Sequence, residues 1–273
     1  MVALWRTRLR QHVQEQQKYL RLVFNDHFVL VLLILFGGAL YAYSLLVKTL
    51  QPSWWLALCL AVIFTALIAL GQLATLAQAP DQVFLLPKAE AFSDYLLKAR
   101  RYSMILPATL LGFAALAMWP LFAQLGQDPI SATVTLLLAV WLFKDLDLWL
   151  QLLQRYHLPI NWRHPRLVLL VITFAALFLG FYLHPAVALL VALTLNLVFR
   201  WLRSSLLAEG LLNFEALIDL EADRMGRLYR FYNLFTDVPG LANSVHRRRY
   251  LDPLLKLVKP SKSETWAYLY LRG

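Results

Sequence analysis

The sequence has few charged side chains and one cysteine. Charged residues make up 15% of the 273 residues, whereas soluble domains carry about 25%. Apolar residues reach 60%, which is more than one soluble core of this length can bury. Cys59 is the one cysteine, so a disulfide within these residues and a thiolate metal site are both excluded. This composition predicts an all-α polytopic membrane protein.

The common nucleotide, metal and hydrolase motifs are also missing. No glycine precedes a lysine, so there is no P-loop, and we expect no ATP hydrolysis by this chain. There is no G-x-G-x-x-G, H-E-x-x-H or G-x-S-x-G, and the six histidines lack metal-ligand spacing. Paired catalytic residues are absent from the clean apolar runs, which argues against an intramembrane enzyme. We therefore predict a non-catalytic chain with no metal or cofactor of its own.

Long apolar runs mark about six transmembrane helices, because a helix needs roughly 20 residues to cross the hydrocarbon core. Together they predict a transmembrane domain over residues 28–199. The predicted spans cover residues 28–47, 53–79, 102–126, 130–150, 165–183 and 185–201. The last two runs are short, and a re-entrant hairpin is the alternative for them.

Basic residues fall almost entirely on one side of these spans. Of the 26 Lys and Arg residues, all but Lys48 lie in segments that the alternation of spans places on the same side. The positive-inside rule makes this side cytoplasmic, so both termini of a multi-pass plasma-membrane protein are predicted inside the cell. The net charge of +10 then indicates an anionic inner leaflet, rather than nucleic acid, as the partner.

Three segments lie on the predicted cytoplasmic side. Residues 1–27 predict a basic interfacial helix, residues 80–101 a loop, and residues 202–273 a helical tail. Apolar residues in the tail recur at helical spacing, broken once at Glu221, which predicts an amphipathic helix of about 30 residues. The acidic residues of the tail are expected to form a solvated face; they are Glu209, Glu215, Asp219, Glu221 and Asp223.

One ionisable cluster lies near a predicted span, formed by Lys144, Asp145 and Asp147. Charges inside a bilayer are costly and indicate function by default. Lys144 lies about 14 residues, or roughly 21 Å, from the outer end of its helix. This places it close to the inner interface, where a lysine side chain can reach the headgroups. We favour a structural role, such as a pair that anchors the helix end, over a role in gating or transmission.

The loop at residues 80–101 contains an apolar run on the predicted cytoplasmic side. Val83–Leu86 forms this run, and Pro87 ends it. Two interpretations stay open at this point. The loop lies on lipid, or it is a docking element for a soluble partner.

Four blocks of the sequence, at Asn25–Leu33, Asp81–Glu90, Arg227–Pro239 and Arg247–Asp252, together resemble the EcsB family of ABC transporter permease subunits. Asn25–Leu33 reads N-D-H-F-V-L-V-L-L, similar to the start of the family's first span. Asp81–Glu90 reads D-Q-V-F-L-L-P-K-A-E and resembles the family's D-x-V-F-L-L-P-x-E signature, with Ala89 as an extra residue. The tail blocks N-L-F-T-D-V-P within Arg227–Pro239 and R-R-R-Y-L-D at Arg247–Asp252 are also similar to family blocks.

The resemblance implies a permease subunit, expected to be an exporter, that works with a separate EcsA-like ABC ATPase. That partner is expected to bind the ATP and Mg. A link to protein secretion or to the function of an intramembrane protease is implied in the same way. Two copies with two ATPases are the usual arrangement, so a homodimer is an open alternative. Family members continue with further apolar spans, so this chain is expected to be shorter than they are at its C-terminus.

The resemblance also implies roles for particular residues. The rigid apolar contact with the ATPase is expected from Phe84, Leu85, Leu86 and Pro87, with Glu90 and Asp94 pairing with its basic groups. A membrane-surface anchor or a regulatory contact is expected from Phe235, Asp237, Pro239, Arg247, Arg248 and Arg249. A different class stays open, namely a non-transporting membrane scaffold that binds an ATPase.

Overall fold

The computed structural model describes residues 1–157, 164–209 and 211–235, which are almost entirely helical. Contacts divide the chain into two units, Met1–Leu228 and Tyr229–Gly273. The elements are α1 (Val2–Val23), α2 (Asp26–Thr49), α3 (Trp54–Ala69), α4 (Asp81–Phe84), a 3-10 turn (Leu86–Lys88), α5 (Ala89–Ala117), α6 (Trp119–Gln124), α7 (Pro129–Leu153), β1 (Tyr156–His157), α8 (Pro165–Tyr182), α9 (Pro185–Glu209), β2 (Leu211–Leu212) and α10 (Phe214–Tyr232). The all-α prediction is confirmed, and β1 and β2 add a two-residue antiparallel pair.

The helices begin where local chemistry predicts a helix start. The side chain of Asn25 accepts a hydrogen bond from Phe28 N at 2.8 Å and caps α2. Asp128 Oδ2 accepts from Ser131 N at 3.0 Å and caps α7. A proline then stands at the start of α7, α8 and α9, where its missing N–H has no helical partner to lose.

Four described helices are long and apolar enough to cross a membrane, which fits a multi-pass membrane protein. They are Asp26–Thr49, Ala91–Gln124 (most of α5 taken together with α6), Pro165–Tyr182 and Pro185–Leu202. Both segments of the alternative hairpin are among them. α3 is apolar but has 16 residues, about 24 Å of helix. The number of six spans stays a prediction.

The second predicted span, residues 53–79, is wrong in its extent because α3 ends at Ala69. Gly71 has a φ of +80°, which leaves the helical region and suits glycine. A Cβ at Gly71 would lie 2.9 Å from the ring of Pro107, so the chain also passes very close to α5. Beyond Gly71 the chain is neither helix nor strand. We call residues 70–78 the strap.

The predicted loop at residues 80–101 is helical over more than half its length, because α5 begins at Ala89. α5 runs on to Ala117 and so joins the loop to the third predicted span. Before it, α4 and the 3-10 turn occupy residues 81–88, which we call the 81–88 element. The strap precedes this element in the chain, and α5 follows it.

The amphipathic helix of about 30 residues predicted in the tail is two elements. α9 continues to Glu209, and α10 begins at Phe214. Asn213 Oδ1 accepts a hydrogen bond from Ala216 N at 3.0 Å and caps α10. β2 pairs with β1 just before this cap, so a strand pair and a helix cap together fix the break.

A second apolar cluster, separate from the core between the long helices, surrounds the strap. Trp5 of α1 meets Tyr95 of α5 edge to face, with ring centroids 5.1 Å apart. Phe92 stacks on Tyr95 at 4.5 Å and also meets Phe214 of α10. Leu73 of the strap is buried among them. α1 is therefore packed on protein through its Trp5 face.

Candidate functional site

The strap is buried although it has no regular structure. Residues 73–77 are all buried, and a buried backbone must have its N–H and C=O groups paired. A segment that belongs to no helix or sheet has to find these partners on side chains. The strap finds them on α1, α5, α7 and α10. Polar side chains from four helices therefore converge on one stretch of backbone.

Two of these bonds come from helices of the bundle. Leu73 N donates to Gln151 Oε1 of α7 at 2.9 Å. Ala74 N donates to Ser103 Oγ of α5 at 2.8 Å. Because both groups are buried, loss of either acceptor leaves an unpaired amide in an apolar setting, which costs about 1–3 kcal/mol.

The other bonds come from α1, from α10 and from Tyr95 of α5. Thr75 N donates to Glu221 Oε2 of α10 at 3.0 Å. Leu76 O accepts from Arg8 of α1 at 3.3 Å and from the hydroxyl of Tyr95 at 3.2 Å. Glu221 is 6% exposed, so its expected place on a solvated face is wrong. Its position inside the apolar stripe of the tail was the signal that it is buried.

A buried charge cluster holds the end of α3. Lys144 and Asp147 are fully buried and form an ion pair at 2.8 Å. Lys144 Nζ also donates to three carbonyl oxygens, those of Ile68 at 2.8 Å, Leu70 at 2.7 Å and Gly71 at 3.1 Å. A cation is stabilised at a helix C-terminus, where carbonyls are unpaired and the helix dipole is negative. Lys144 thus caps α3 from α7.

Arg166 and Gln151 complete this cluster around Asp147. Arg166 Nε donates to Asp147 Oδ1 at 2.6 Å, and its Nη2 donates to Ala69 O at 2.7 Å. Gln151 Nε2 donates to Asp147 Oδ2 at 2.9 Å. Since Gln151 also accepts from the strap, one side chain joins the cluster to the strap. The cluster therefore fixes α3, α7, α8 and the strap at one end of the bundle, which we call the basic end.

The structure separates the three residues of the predicted ionisable cluster, Lys144, Asp145 and Asp147. Asp145 points away from the other two and pairs with Arg100 of α5. The same Arg100 lies over the ring of Trp149, 4.4 Å from its centroid. Lys144 does not reach toward headgroups, because its side chain is wholly buried. The helix end that Lys144 contacts belongs to α3 and not to its own helix α7, and the choice between a structural role and a role in gating stays a prediction.

The 81–88 element presents apolar side chains to its surroundings. Val83 is 72% exposed, Phe84 74% and Leu86 58%. Leu85 points the other way and packs against the cluster around the strap. Pro87 is exposed and lies in the 3-10 turn. Of the residues predicted for the apolar contact, Phe84, Leu86 and Pro87 therefore face outward together and Leu85 does not.

The base of the 81–88 element is tied to α1. Arg8 donates to both carboxylate oxygens of Asp81, at 2.7 and 2.5 Å, and Gln78 N donates to the same carboxylate at 2.9 Å. Burial opposes the charge of Arg8, but the hydrogen bonds to Asp81 and Tyr95 outweigh it and raise the Arg8 pKa above its usual range. The two-point pair is nearly buried, and Arg8 keeps its charge.

Of the remaining predicted site residues, Asp94 and Phe235 have described side chains. Asp94 is exposed on α5. The side chain of Glu90 and the whole of Asp237, Pro239, Arg247, Arg248 and Arg249 lie outside the described residues. Phe235 belongs to the second unit and is 42% exposed. Over the described ranges, no three His, Cys, Asp or Glu side chains are grouped as metal ligands.

We predict that packing of α1 against the strap weakens below about pH 6.5. Burial, helped by Arg224, lowers the pKa of His12 from 6.5, while Glu221 and Glu15 act in the opposite direction. The unfolded state therefore takes up the proton first, and stability is lost as the pH falls from 6.5 through the folded-state pKa. Trp5 fluorescence and amide exchange in α1, compared at pH 7.5 and 5.5, measure this loss. The same pH dependence in His12→Gln would contradict it.

Comparison with known proteins identifies the family. The profile of the family described as "Bacterial ABC transporter protein EcsB" matches residues 2–273. The chain belongs to the EcsB family. It is 31% identical over 280 residues to "Protein EcsB" of Bacillus subtilis (strain 168), an alignment that covers all of this chain and 67% of that relative. No solved structure matches the chain. The chain is thus a multi-pass membrane protein of an ABC transporter system.

The D-x-V-F-L-L-P motif of the EcsB family coincides with the 81–88 element. The D-Q-V-F-L-L-P block is the 81–88 element itself, and its Asp81 is the residue bound by Arg8. Arg8, Gln151 and Arg166 were not predicted as site residues from the sequence. No signal in the sequence marks these three residues, because the buried acceptors to which they donate are known only from the three-dimensional structure. Asp147 alone accepts hydrogen bonds from three side chains.

Proposed function

We propose that this chain is the membrane-spanning permease subunit of an ABC transporter and that the 81–88 element docks a separate EcsA-like ATPase. The observation that carries the proposal is the contrast within this element. Its base at Asp81 is buried and ion-paired, while Val83, Phe84 and Leu86 are exposed. Exposed apolar side chains on a firmly held turn are typical of a protein contact. ATP and Mg belong to the partner in this proposal.

The element is well placed to transmit motion. It lies between the strap, which leads to the capped end of α3, and α5, which continues as a long helix. A displacement of Phe84 and Leu86 by the ATPase reaches α3 through the strap and α5 directly. Different affinity of the ATPase for two arrangements of these helices is enough to shift the population between them.

Export is the direction we propose, with a link to protein secretion or to an intramembrane protease. The described connections at the end opposite the charge cluster are short, such as Leu50–Ser53 between α2 and α3. They include no domain that could collect a ligand on that side. Two copies of the chain with two ATPases complete the proposed assembly.

Docking is tested by co-purification of the ATPase through a tag on this chain. Phe84→Ala combined with Leu86→Ala is expected to lower ATPase recovery at least about tenfold, because two exposed anchors are removed from one contact. Leu211→Ala is the matched control, since Leu211 is 76% exposed but lies on β2. ATPase activity of the complex is measured alongside.

Equal recovery from the double variant and the Leu211→Ala control would contradict docking at the 81–88 element. Recovery that depends on Phe84 and Leu86, with no ligand-stimulated ATP hydrolysis under any condition, would instead favour the non-transporting scaffold. A transporter is supported when recovery depends on Phe84 and Leu86 and ATP hydrolysis by the unchanged complex is stimulated by a ligand.

A further inference from the structure

The C-terminal half of α1 lines an open groove of about 900 Å³ next to the start of α2. α2 is one of the helices that are long and apolar enough to cross a membrane, and it begins at Asp26, just after α1 ends at Val23. The groove therefore lies where the chain meets the membrane surface. Because basic residues are concentrated on this side of the predicted spans, the positive-inside rule assigns the groove to the inner leaflet.

One side of the groove is formed by hydrogen-bond donors. Gln14, Gln17, Lys18 and Arg21 all line it and are all exposed. They are spaced three or four residues apart, so they share one face of α1. No acidic residue lines the groove, and in the described part of the chain neither Lys18 nor Arg21 is paired with a carboxylate. Two neighbouring unpaired cations repel each other, which favours an anion between them.

The other side of the groove is apolar. Leu20, Leu22 and Phe24 line it and are 38%, 52% and 50% exposed. The ring of Phe24 contacts that of Phe28 in the first turn of α2, with centroids 5.9 Å apart. The apolar surface therefore continues onto α2, whose apolar side chains are exposed along its length. A ligand that matches both sides is anionic at one end and apolar at the other.

We propose that this groove binds one anionic phospholipid and that the bound lipid holds α1 against the strap. The lipid phosphate accepts charge-assisted hydrogen bonds from Lys18 and from Arg21, whose planar guanidinium suits two phosphate oxygens. Gln14 and Gln17 donate to the remaining headgroup oxygens. The acyl chains pass Phe24 and lie along α2. A zwitterionic lipid binds more weakly, because its own cation is repelled by the two basic side chains.

α1 connects this groove to the strap because its opposite face is buried. Trp5 and His12 are buried on that face, and Arg8 between them holds the carboxylate of Asp81. Arg8 and Lys18 belong to one unbroken helix and are ten residues apart, about 15 Å. α1 cannot leave the strap without moving the groove away from the headgroups. A ligand that binds best to one arrangement stabilises that arrangement, so the lipid stabilises the packed position of α1.

The consequence for the ATPase rests on the proposed function. By holding α1, the lipid keeps the base of the 81–88 element at Asp81 in the position in which the ATPase meets its exposed side chains. The lipid site itself needs no ATPase. Both tests below use the full chain without the partner, so failure of the lipid site and failure of ATPase docking are separate results.

The first test is titration of the detergent-solubilised chain with phosphatidylglycerol, followed by native mass spectrometry. Phosphatidylglycerol is expected to bind at least about tenfold more tightly than phosphatidylcholine. Lys18→Gln combined with Arg21→Gln is expected to lower the affinity for phosphatidylglycerol about 25-fold, because each basic residue near an anionic lipid contributes about fivefold. Lys18→Arg combined with Arg21→Lys keeps both charges and is expected to stay within about threefold of the native affinity.

Arg6→Gln combined with Arg10→Gln is the matched control. It removes the same charge from the same helix, and both residues are exposed but do not line the groove. It is expected to change the affinity by no more than about twofold. Equal losses from the two glutamine double variants would mean that the basic helix attracts lipid only diffusely. That result, or equal affinities for phosphatidylglycerol and phosphatidylcholine, overturns the proposal.

The second test is hydrogen–deuterium exchange of the strap in phosphatidylcholine nanodiscs with and without phosphatidylglycerol. The amide of Gln78, which donates to Asp81, is expected to exchange at least about fivefold more slowly with phosphatidylglycerol. The effect is expected to vanish in the Lys18→Gln, Arg21→Gln variant. In Asp81→Asn the lipid still binds but no longer slows exchange, because the connection from α1 is broken.

Two outcomes of the exchange measurement contradict the proposal. If phosphatidylglycerol binds to the native chain and leaves exchange at Gln78 unchanged, the lipid does not hold α1 against the strap. If inorganic phosphate added to phosphatidylcholine nanodiscs slows exchange as much as phosphatidylglycerol does, the ligand is a free anion and not a lipid.

Discussion

Replacing Lys144 by methionine is expected to lower the free energy of unfolding by about 3–5 kcal/mol, the cost of breaking a buried ion pair from one side. Asp147 is fully buried and loses one of its two cationic partners. The carbonyls of Leu70 and Gly71 lose their donor at the same time. Thermal or denaturant unfolding of the detergent-solubilised chain, followed by helical circular dichroism, measures the loss.

Asp145→Asn is the matched control for this prediction. Asp145 lies one residue away and also forms an ion pair, but its side chain is 33% exposed. Partly exposed pairs contribute about 0–1 kcal/mol, so its loss is expected to be small. Adding Asp147→Leu to Lys144→Met is expected to recover part of the stability, because Arg166 is 28% exposed and can turn toward water. Equal effects of Lys144→Met and Asp145→Asn would contradict the buried-cap interpretation.

Replacing Asp81 by asparagine is expected to release the 81–88 element from α1. The Arg8–Asp81 pair is nearly buried, with side-chain exposures of 10% and 4%. Removing the charge of one partner leaves the guanidinium buried without compensation, at a cost of about 3–5 kcal/mol. The amide of Gln78, which donates to Asp81, is expected to exchange with solvent at least about 100-fold faster. Hydrogen–deuterium exchange with mass spectrometry of the strap measures this change.

Asp94→Asn provides the comparison, since Asp94 is an exposed carboxylate on the neighbouring helix α5. It is expected to leave exchange in the strap unchanged. Arg8→Met should repeat the effect of Asp81→Asn, because it breaks the same pair from the other side. If only one of these two variants accelerates exchange at Gln78, the ion pair is not what holds the element.

The starts of the helices could be predicted from the sequence because their causes are local. Asn25 and Asp128 each cap a helix through a backbone amide three residues ahead. The end of α3 has no such local cause. The strap continues the apolar composition of the helix, and the partners that hold its backbone lie 29, 78 and 146 residues away. The hydropathy of the sequence therefore predicted a span that is longer than α3 and includes the strap.

The charge cluster could be located from the sequence, but only part of its pairing could be predicted. Lys144 and Asp147 are three residues apart, which places them on one face of a helix, whereas Asp145 falls on another. That spacing separates the buried pair from Asp145, which is partly exposed. The contribution of Arg166 depends on how α8 packs against α7, and no spacing within one helix indicates that contact.

The order in which the strap acquires its partners also has a consequence for synthesis in the cell. Thr75 leaves the ribosome long before Glu221, to which its amide donates. Until α10 has been translated, the N–H of Thr75 lacks its native acceptor and this part of the protein stays open. We therefore expect a nascent chain stopped before residue 214 to be recognised by membrane quality-control proteases, and the chain extended through α10 to escape them.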